Sequence, residues 1–322
     1  MNTSTSVYRG RFAPSPTGPL HFGSLVAAAG SFLEARTKGG EWLLRMEDVD
    51  TPRCSKTAAD EILHTLEACG FAWDGAVVWQ SCRTGAYAAA LERLKAAGRV
   101  FACACTRREL ADTAIAPDGA TIYPGTCRPG LAAGRPARAW RLRVGDVRVS
   151  FDDAIQGRID SDLAFDAGDF ILLRADGLFA YQLAVVVDDA AAGITHVVRG
   201  ADLLASTARQ IFLQQYLGLP TPCYAHLPVA VNAAGEKLSK QTRAAAVDAS
   251  RPGPALFAAL EFLGQRPPPE LCGASPDELW NWAISDWRLD RVPRGPAPEP
   301  GGQEPCGWDN RTASIKEARH DD

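Results

Sequence analysis

"RFAPSPTGPLHFGSL", residues Arg11 to Leu25, places three prolines and two glycines in fifteen positions and then enters a helical pattern. Pro14, Pro16 and Pro19 stiffen a turn, because each fixes φ and removes a backbone donor. Gly18 and Gly23 let the backbone come close to a ligand. Ser24 is suited to cap the helix that follows, whose first amides carry a partial positive charge. Such a turn is a place for phosphates. His21, beside those amides, is placed to stabilise charge growing on an α-phosphate without acting as a nucleophile. A lone turn histidine is equally a residue satisfied by the backbone, so the stretch needs a partner elsewhere in the chain.

Outward from this turn the chain alternates strand and helix. "VYRGRFAP" reads as a short strand, and Leu25, Ala28, Ala29, Phe32 and Leu33 recur at helical spacing, which buries one face of a helix. "EWLLRMEDVD" is a strand ending in acids. A helix over about Ser55 to Cys69 has Ser55 as N-cap and Gly70 as its stop, and another spans about Gly85 to Ala97. This order predicts an α/β, doubly wound nucleotide-binding fold, whose ligands sit beyond the C-terminal ends of the strands. The first half of that Rossmann-type domain is expected over 7–101. From 102 to 168 the chain is richer in Gly, Pro and short strand patterns ("AWRLRV", "VRVSF", "GRIDSDL"), which reads as an insertion with its own small architecture. The α/β pattern returns over 169–250, two helices follow over 251–290, and 291–322 is Pro/Gly-rich and charged, with disorder expected.

The partner of the opening turn lies at "GEKLSKQT", Gly235 to Thr242. Lys237 and Lys240 flank a serine in a polar loop after the strand candidate "AHLPVAVN", where mobile lysines can clamp a triphosphate and follow its charge as pyrophosphate leaves. Lysines in a surface loop are commonly just solvated, but paired with a Pro-turn-His-Gly the combination is specific. The two stretches resemble the signature motifs of the class I aminoacyl-tRNA synthetases, and RFAPSPTG resembles the glutamyl branch. "RMEDVDTPR" (Arg45 to Arg53) and "YQLAVVVDDAAAGITHVVRGADLLASTARQ" (Tyr181 to Gln210) are similar to further motifs of that branch, in the same order over roughly residues 9 to 245.

The resemblance implies an ATP site of His21, Gly23, Ser24, Lys237 and Lys240, with His21 and Lys240 catalytic and Mg²⁺ arriving with ATP. It implies a glutamate pocket of Arg11, Phe12, Ala13, Pro14, Ser15, Glu47, Tyr181 and Arg199. The chemistry agrees: a substrate with two carboxylates and one ammonium needs cationic forks and an acid, and a planar guanidinium meets a carboxylate with two bonds. By resemblance Glu47 faces the ammonium and Tyr181 offers its hydroxyl to a carboxylate. Which arginine holds which carboxylate stays open, and each is also readable as a structural ion pair. Asp202 is a further candidate for substrate or ribose, whereas Asp188 and Asp189 read as structural. The second motif departs from the family pattern at Gln241, keeping both lysines without a basic fifth position.

The chain has 322 residues, 46% of them hydrophobic, enough for a substantial core, and its net charge of −4 argues against coating nucleic acid non-specifically. A local basic face is still available from Arg128, Arg135, Arg138, Arg141, Arg143 and Arg148, or these are simply solvated. No apolar run suffices to span a bilayer, and MNTSTSVYRG lacks the apolar stretch of a secretory leader. Nine cysteines, odd in number and mostly scattered, suggest reduced thiols rather than a disulfide framework. The cytoplasm is therefore expected. Cys103 and Cys105, one residue apart, and Cys127 across a short excursion can converge on one metal ion. The alternative is three buried cysteines acting as small hydrophobes.

About eighty residues follow the second motif, too few for the long helical part with which full glutamyl synthetases read the anticodon. That length, and the C-x-C…Y-x-x-x-C spacing of Cys103, Cys105, Tyr123 and Cys127, resemble a truncated branch of the family. The resemblance implies structural Zn²⁺ on those four residues. It also implies activation of L-glutamate by ATP and transfer to the queuosine base in the anticodon of tRNA(Asp), with no membrane partner and a monomer as the working unit. Three alternatives stay open. One is a short synthetase charging a tRNA 3′ end, another an adenylyltransferase using a similar histidine turn, and the third a non-catalytic tRNA-binding paralogue.

Overall fold

The computed structural model describes residues 7–111, 113–116, 119, 121–231, 246–295 and 297–298. Strand β1 (Arg9–Phe12) leads through the turn into α1 (Phe22–Thr37) and returns as β2 (Glu41–Met46), parallel to β1 with Arg11 opposite Leu43. Helix α2 (Lys56–Ala68) carries the chain to β3 (Val78–Trp79), parallel to β2, and α3 (Thr84–Ala96) follows. Ser55 accepts from the Ala58 N–H at the start of α2, and Gly70 takes φ +73° just past its end, as the sequence predicts.

The middle of the chain splits between two sheets. Strands β4 (Val100–Cys103), β5 (Ala139–Leu142) and β8 (Ile171–Leu173) form a small antiparallel sheet. Between them β6 (Arg148–Asp153) and β7 (Gly157–Asp162) form a hairpin, and the one-turn α4 (Leu163–Asp166) follows. Strand β6 pairs parallel with β10 (Cys223–Leu227), which itself lies parallel to β9 (His196–Gly200). Helix α5 (Tyr181–Ala191) precedes β9, and α6 (Leu204–Leu217) joins β9 to β10.

The parallel sheet of β1, β2 and β3 and the mixed sheet of β9, β10, β6 and β7 meet edge to edge at β1 and β9. The Thr195 N–H donates to Arg9 O (3.0 Å), and the Arg9 N–H donates to Thr195 Oγ1 (2.8 Å). Both strands begin at this contact, and the order across the joined sheets is β3-β2-β1-β9-β10-β6-β7. The order therefore reverses between β1 and β9, which in an open α/β sheet makes the crevice at their C-terminal ends the ligand site.

Helix α1 departs from the one-faced pattern predicted for it. Eleven of its residues are buried, including Gly30, Ser31 and Glu34. Its inner side packs on β1, β2 and β9, and its outer side is covered by α7 (Pro252–Phe262) and α8 (Pro276–Asp286). Phe32 meets Trp42 of β2 and Trp280 of α8 edge-on, with ring centroids 5.2 and 5.1 Å apart, and Trp287 Nε1–H donates to Glu34 at 2.6 Å. Short strand β11 (Ala230–Val231) pairs with β12 (Ala297–Pro298), and Val292 is buried. The start of the segment expected to be disordered is thus held by an edge pairing and an apolar anchor; 299–322 lie outside the described residues. Among the described residues seven cysteines are free thiols and Cys272 is disulfide-bonded, an exception to the expectation of reduced thiols.

Candidate active site

A cavity of about 670 Å³ opens at the C-terminal ends of β1 and β9. Arg11, Phe12, Ala13, Pro14 and Ser15 line it as the chain leaves β1, Glu47 at the end of β2, Tyr181 at the start of α5, and Arg199 at the end of β9. His21, Gly23 and Ser24 line it from the first turn of α1, and Asp202 from the turn after β9. Sheet topology thus gathers into one volume the candidates that the sequence spreads over nearly two hundred positions.

The helix cap differs from the prediction. His21, not Ser24, is the N-cap of α1: its Nδ1 accepts from the Ser24 N–H at 3.3 Å, and its carbonyl accepts from Ser24 and Leu25. The imidazole is therefore held at the positive end of the helix, and Ser24 sits inside the first turn, where its hydroxyl lies 3.1 Å from His21 Nε2. Lys237 and Lys240 lie outside the described residues. The chain on either side is anchored here, because Ala230 lines the cavity, Ala246 bridges to His21, and the Val247 N–H donates to Leu20 O at 2.8 Å.

The polar wall of the cavity rests on a buried charge group. Arg11 donates to Asp189 through Nε and Nη2, both at 3.3 Å. Arg45 bridges Asp189 (2.6 Å) and Glu47 (3.1 Å), and all four side chains are nearly inaccessible. Burial works to raise the Asp189 carboxyl, but Arg11 and Arg45 outweigh it and hold it below the usual carboxylate range. Burial pushes the Glu47 carboxyl up, against the pull of Arg45 and Arg11. Asp189 reads as structural, as expected, yet it is what fixes Arg11. Arg45 was missed as a site residue: it stands in a quoted motif, but its partner in α5 is 144 positions away.

Arg199 stands differently. Among the described residues no carboxylate pairs with it. Its Nη1 donates to Tyr181 Oη (3.3 Å), its Nη2 to Thr207 Oγ1 (2.8 Å), and its Nε to His226 Nε2 (3.1 Å). His226 and Thr207 were also missed. Asp188, the other structural acid, accepts from Tyr87 (2.6 Å) and Gln80 (3.1 Å) and pairs with Arg83, which locks α5 to α3.

The cysteine cluster lies apart, beside the small sheet. The sulfurs of Cys103, Cys105 and Cys127 fall within 4.8 Å of one another. Cys105 Sγ is 3.6 Å from Cys127 Sγ, and Tyr123 Oη is 3.5 and 3.4 Å from the sulfurs of Cys103 and Cys105. The Arg141 guanidinium stacks on the Tyr123 ring, 4.0 Å from its centroid. Burial works to raise the Cys127 thiol, but hydrogen bonds from Tyr123, the Ala104 N–H and the neighbouring cysteines hold it down to about 7. This group is able to hold a metal ion.

A crevice at the β1/β9 order reversal, a helix N-terminus at its mouth and a wall of buried arginines and acids define a nucleotide-binding α/β catalytic domain. Residues 7–253 match the family "tRNA synthetases class I (E and Q), catalytic domain". Curated relatives from Aromatoleum aromaticum (66% identical, 89% of this chain and 91% of that one) and Dechloromonas aromatica (64%, 90% and 97%) are each named glutamyl-Q tRNA(Asp) synthetase. A glutamate tRNA ligase from Elizabethkingia meningosepticum, solved in complex with its amino acid, superposes with a TM-score of 0.74 at 26% identity, over 91% of this chain and 67% of that one. The chain belongs to the class I glutamyl and glutaminyl tRNA synthetase family, within its glutamyl-Q tRNA(Asp) synthetase branch.

Proposed function

We propose that the protein activates L-glutamate with ATP to glutamyl-adenylate and transfers the glutamyl group to the queuosine base at the anticodon wobble position of tRNA(Asp). The observation that carries the reading is the cavity itself, which joins a helix N-terminus, a buried acid and a cation with no carboxylate partner among the described residues, in a chain of this branch.

Arg199 is the cation for a substrate carboxylate, with the Tyr181 hydroxyl beside it, because Arg11 already spends its fork on Asp189. Glu47 receives the ammonium, whose charge adds to the pull of Arg45 and Arg11 in favouring the carboxylate that burial works against. Arg11 and residues 12–15 shape the wall between them. The other substrate carboxylate attacks the α-phosphorus in line and pyrophosphate departs. His21 and the α1 N-terminus stabilise the charge on the α-phosphate, and Lys237 and Lys240 follow the charge of the leaving group. Mg²⁺ arriving with ATP would supply further neutralisation of phosphate charge. A hydroxyl of the queuosine ring then attacks the acyl carbon of the anhydride, and AMP leaves.

Cys103, Cys105, Tyr123 and Cys127 are read as a structural zinc site. A tetrahedral zinc with usual bond lengths has edges of about 3.7 Å between two sulfurs and about 3.5 Å between sulfur and oxygen, close to the spacings in the cluster. Zinc there would join β4 to the excursion that follows it. No helix among the described residues is long and apolar enough to cross a membrane, and a tRNA substrate supports the cytoplasm as the compartment of this activity. The test is glutamate-dependent exchange of labelled pyrophosphate into ATP without tRNA. Exchange is expected; none with any tRNA present would reject the reading.

A further inference from the structure

His226 is a fully buried histidine that the mechanism above does not use. It sits on β10 between a carboxylate and a guanidinium. Its Nδ1 is 2.6 Å from Asp153 Oδ2, its Nε2 faces Arg199 Nε at 3.1 Å, and the Thr207 hydroxyl lies 3.0 Å from that same nitrogen. Asp153 Oδ1 also accepts the backbone N–H groups of His226 (3.1 Å), Ile155 (3.0 Å) and Gln156 (2.8 Å), so it is an ionised acceptor with no proton to give. The proton of a neutral imidazole must therefore be on Nδ1, and Nε2 is left as an acceptor.

From this geometry we infer that His226, oriented by Asp153, is a positioning residue that aims Arg199 at the glutamate carboxylate. The inference rests on the assignment of Arg199 to that carboxylate. The logic is one of complementary polarity. An acceptor at Nε2 takes the Nε–H of Arg199, and Thr207 takes an N–H from Nη2. The guanidinium is thereby pinned along its buried edge, and Nη1, the end shared with Tyr181, is what remains to meet a ligand in the cavity. The other tautomer, or a protonated ring, would set an N–H against the Arg199 N–H and turn the fork away. Asp153 belongs to β6, the strand that crosses from the small-sheet region, so the hairpin reaches the substrate through this relay.

The test compares His226→Asn, His226→Gln and Asp153→Asn with wild type by pyrophosphate exchange, titrating glutamate and ATP separately. Asparagine can satisfy Asp153 but is too short to offer an acceptor to Arg199. The carbonyl of glutamine falls where Nε2 was. An amide at 153 can donate to Nδ1 and so shifts the imidazole proton to Nε2. Expected are a roughly tenfold rise in KM for glutamate in the two asparagine variants, the cost of about one charge-assisted hydrogen bond, an ATP KM within about twofold of wild type, and a His226→Gln variant close to wild type. A merely structural role would raise both KM values together, or leave His226→Gln as impaired as His226→Asn; either result overturns the inference, as does an unchanged glutamate KM or failure of all three variants to melt cooperatively. Wild type without exchange rejects instead the glutamate reading on which the inference stands.

Discussion

Glu47 is one of two anionic groups in the buried quartet with Arg11, Arg45 and Asp189, and the one that lines the cavity. Replacing it with glutamine keeps the shape and removes the charge that meets an ammonium. Glu47→Gln should raise KM for glutamate at least about tenfold, on the scale of a charge-assisted hydrogen bond, while KM for ATP holds; equal changes in both would contradict its role. Asp189 makes the opposite prediction, about stability. Its carboxyl is held below the ordinary value of 3.8, so its contribution is complete above that value and is lost as pH falls through the lower folded value. Asp189→Asn should cost about 3–5 kcal/mol near neutrality, because it leaves Arg11 and Arg45 buried against a neutral partner. In urea titrations the gap to wild type should narrow in strong acid, and a constant gap would show that the ion pairs do not act as described. The candidates at residue scale were legible where they stand in local motifs. Arg45, Asp153 and His226 were not, since each acquires its role from a partner brought near only by the sheet, as with the 73 positions between Asp153 and His226.

At the scale of elements, the two C-terminal helices explain α1. Its buried glycine, serine and glutamate are unreadable as a face because helix periodicity encodes one covering layer, and this helix has two. The coverage depends on Gly264 just past α7, at φ +74°, where an added Cβ would lie 2.4 Å from Arg291 O. Gly264→Ala should therefore destabilise the protein by about 1–3 kcal/mol, seen as a lower urea midpoint with activity retained below it. No change in midpoint would mean that the α7 to Arg291 contact relaxes freely. The cysteine cluster sets a second element-scale expectation. Freshly purified protein should carry one zinc per chain, and Cys127→Ser should release it and lower the melting temperature by several degrees, a loss of a few kcal/mol. Tyr123→Phe keeps the ring under Arg141 and removes only the oxygen. Weaker zinc retention in that variant would bear out the phenol as fourth ligand, whereas unchanged retention would exclude it. Spacing exposed the three cysteines and the family resemblance added Tyr123; that the oxygen comes to within 3.5 Å of two sulfurs needed the fold.

For the whole molecule, the alternation of strand and helix predicted the doubly wound fold, but not how its two halves would meet. The joint at Arg9 and Thr195 decides function, because it sets the order reversal that opens the cavity. Nothing in either strand's own pattern encodes that neighbour, and the opening Pro-rich turn hints at it only by needing a ligand close to its backbone. The central claim concerns which atom receives the glutamyl group, since an ordinary glutamyl synthetase would perform the same activation. The direct measurement is to incubate the enzyme with labelled glutamate, ATP and queuosine-containing tRNA(Asp), digest the RNA to nucleosides and locate the label. Label on the queuosine nucleoside is the predicted result; label on the terminal adenosine, or none on RNA despite active exchange, would contradict the account.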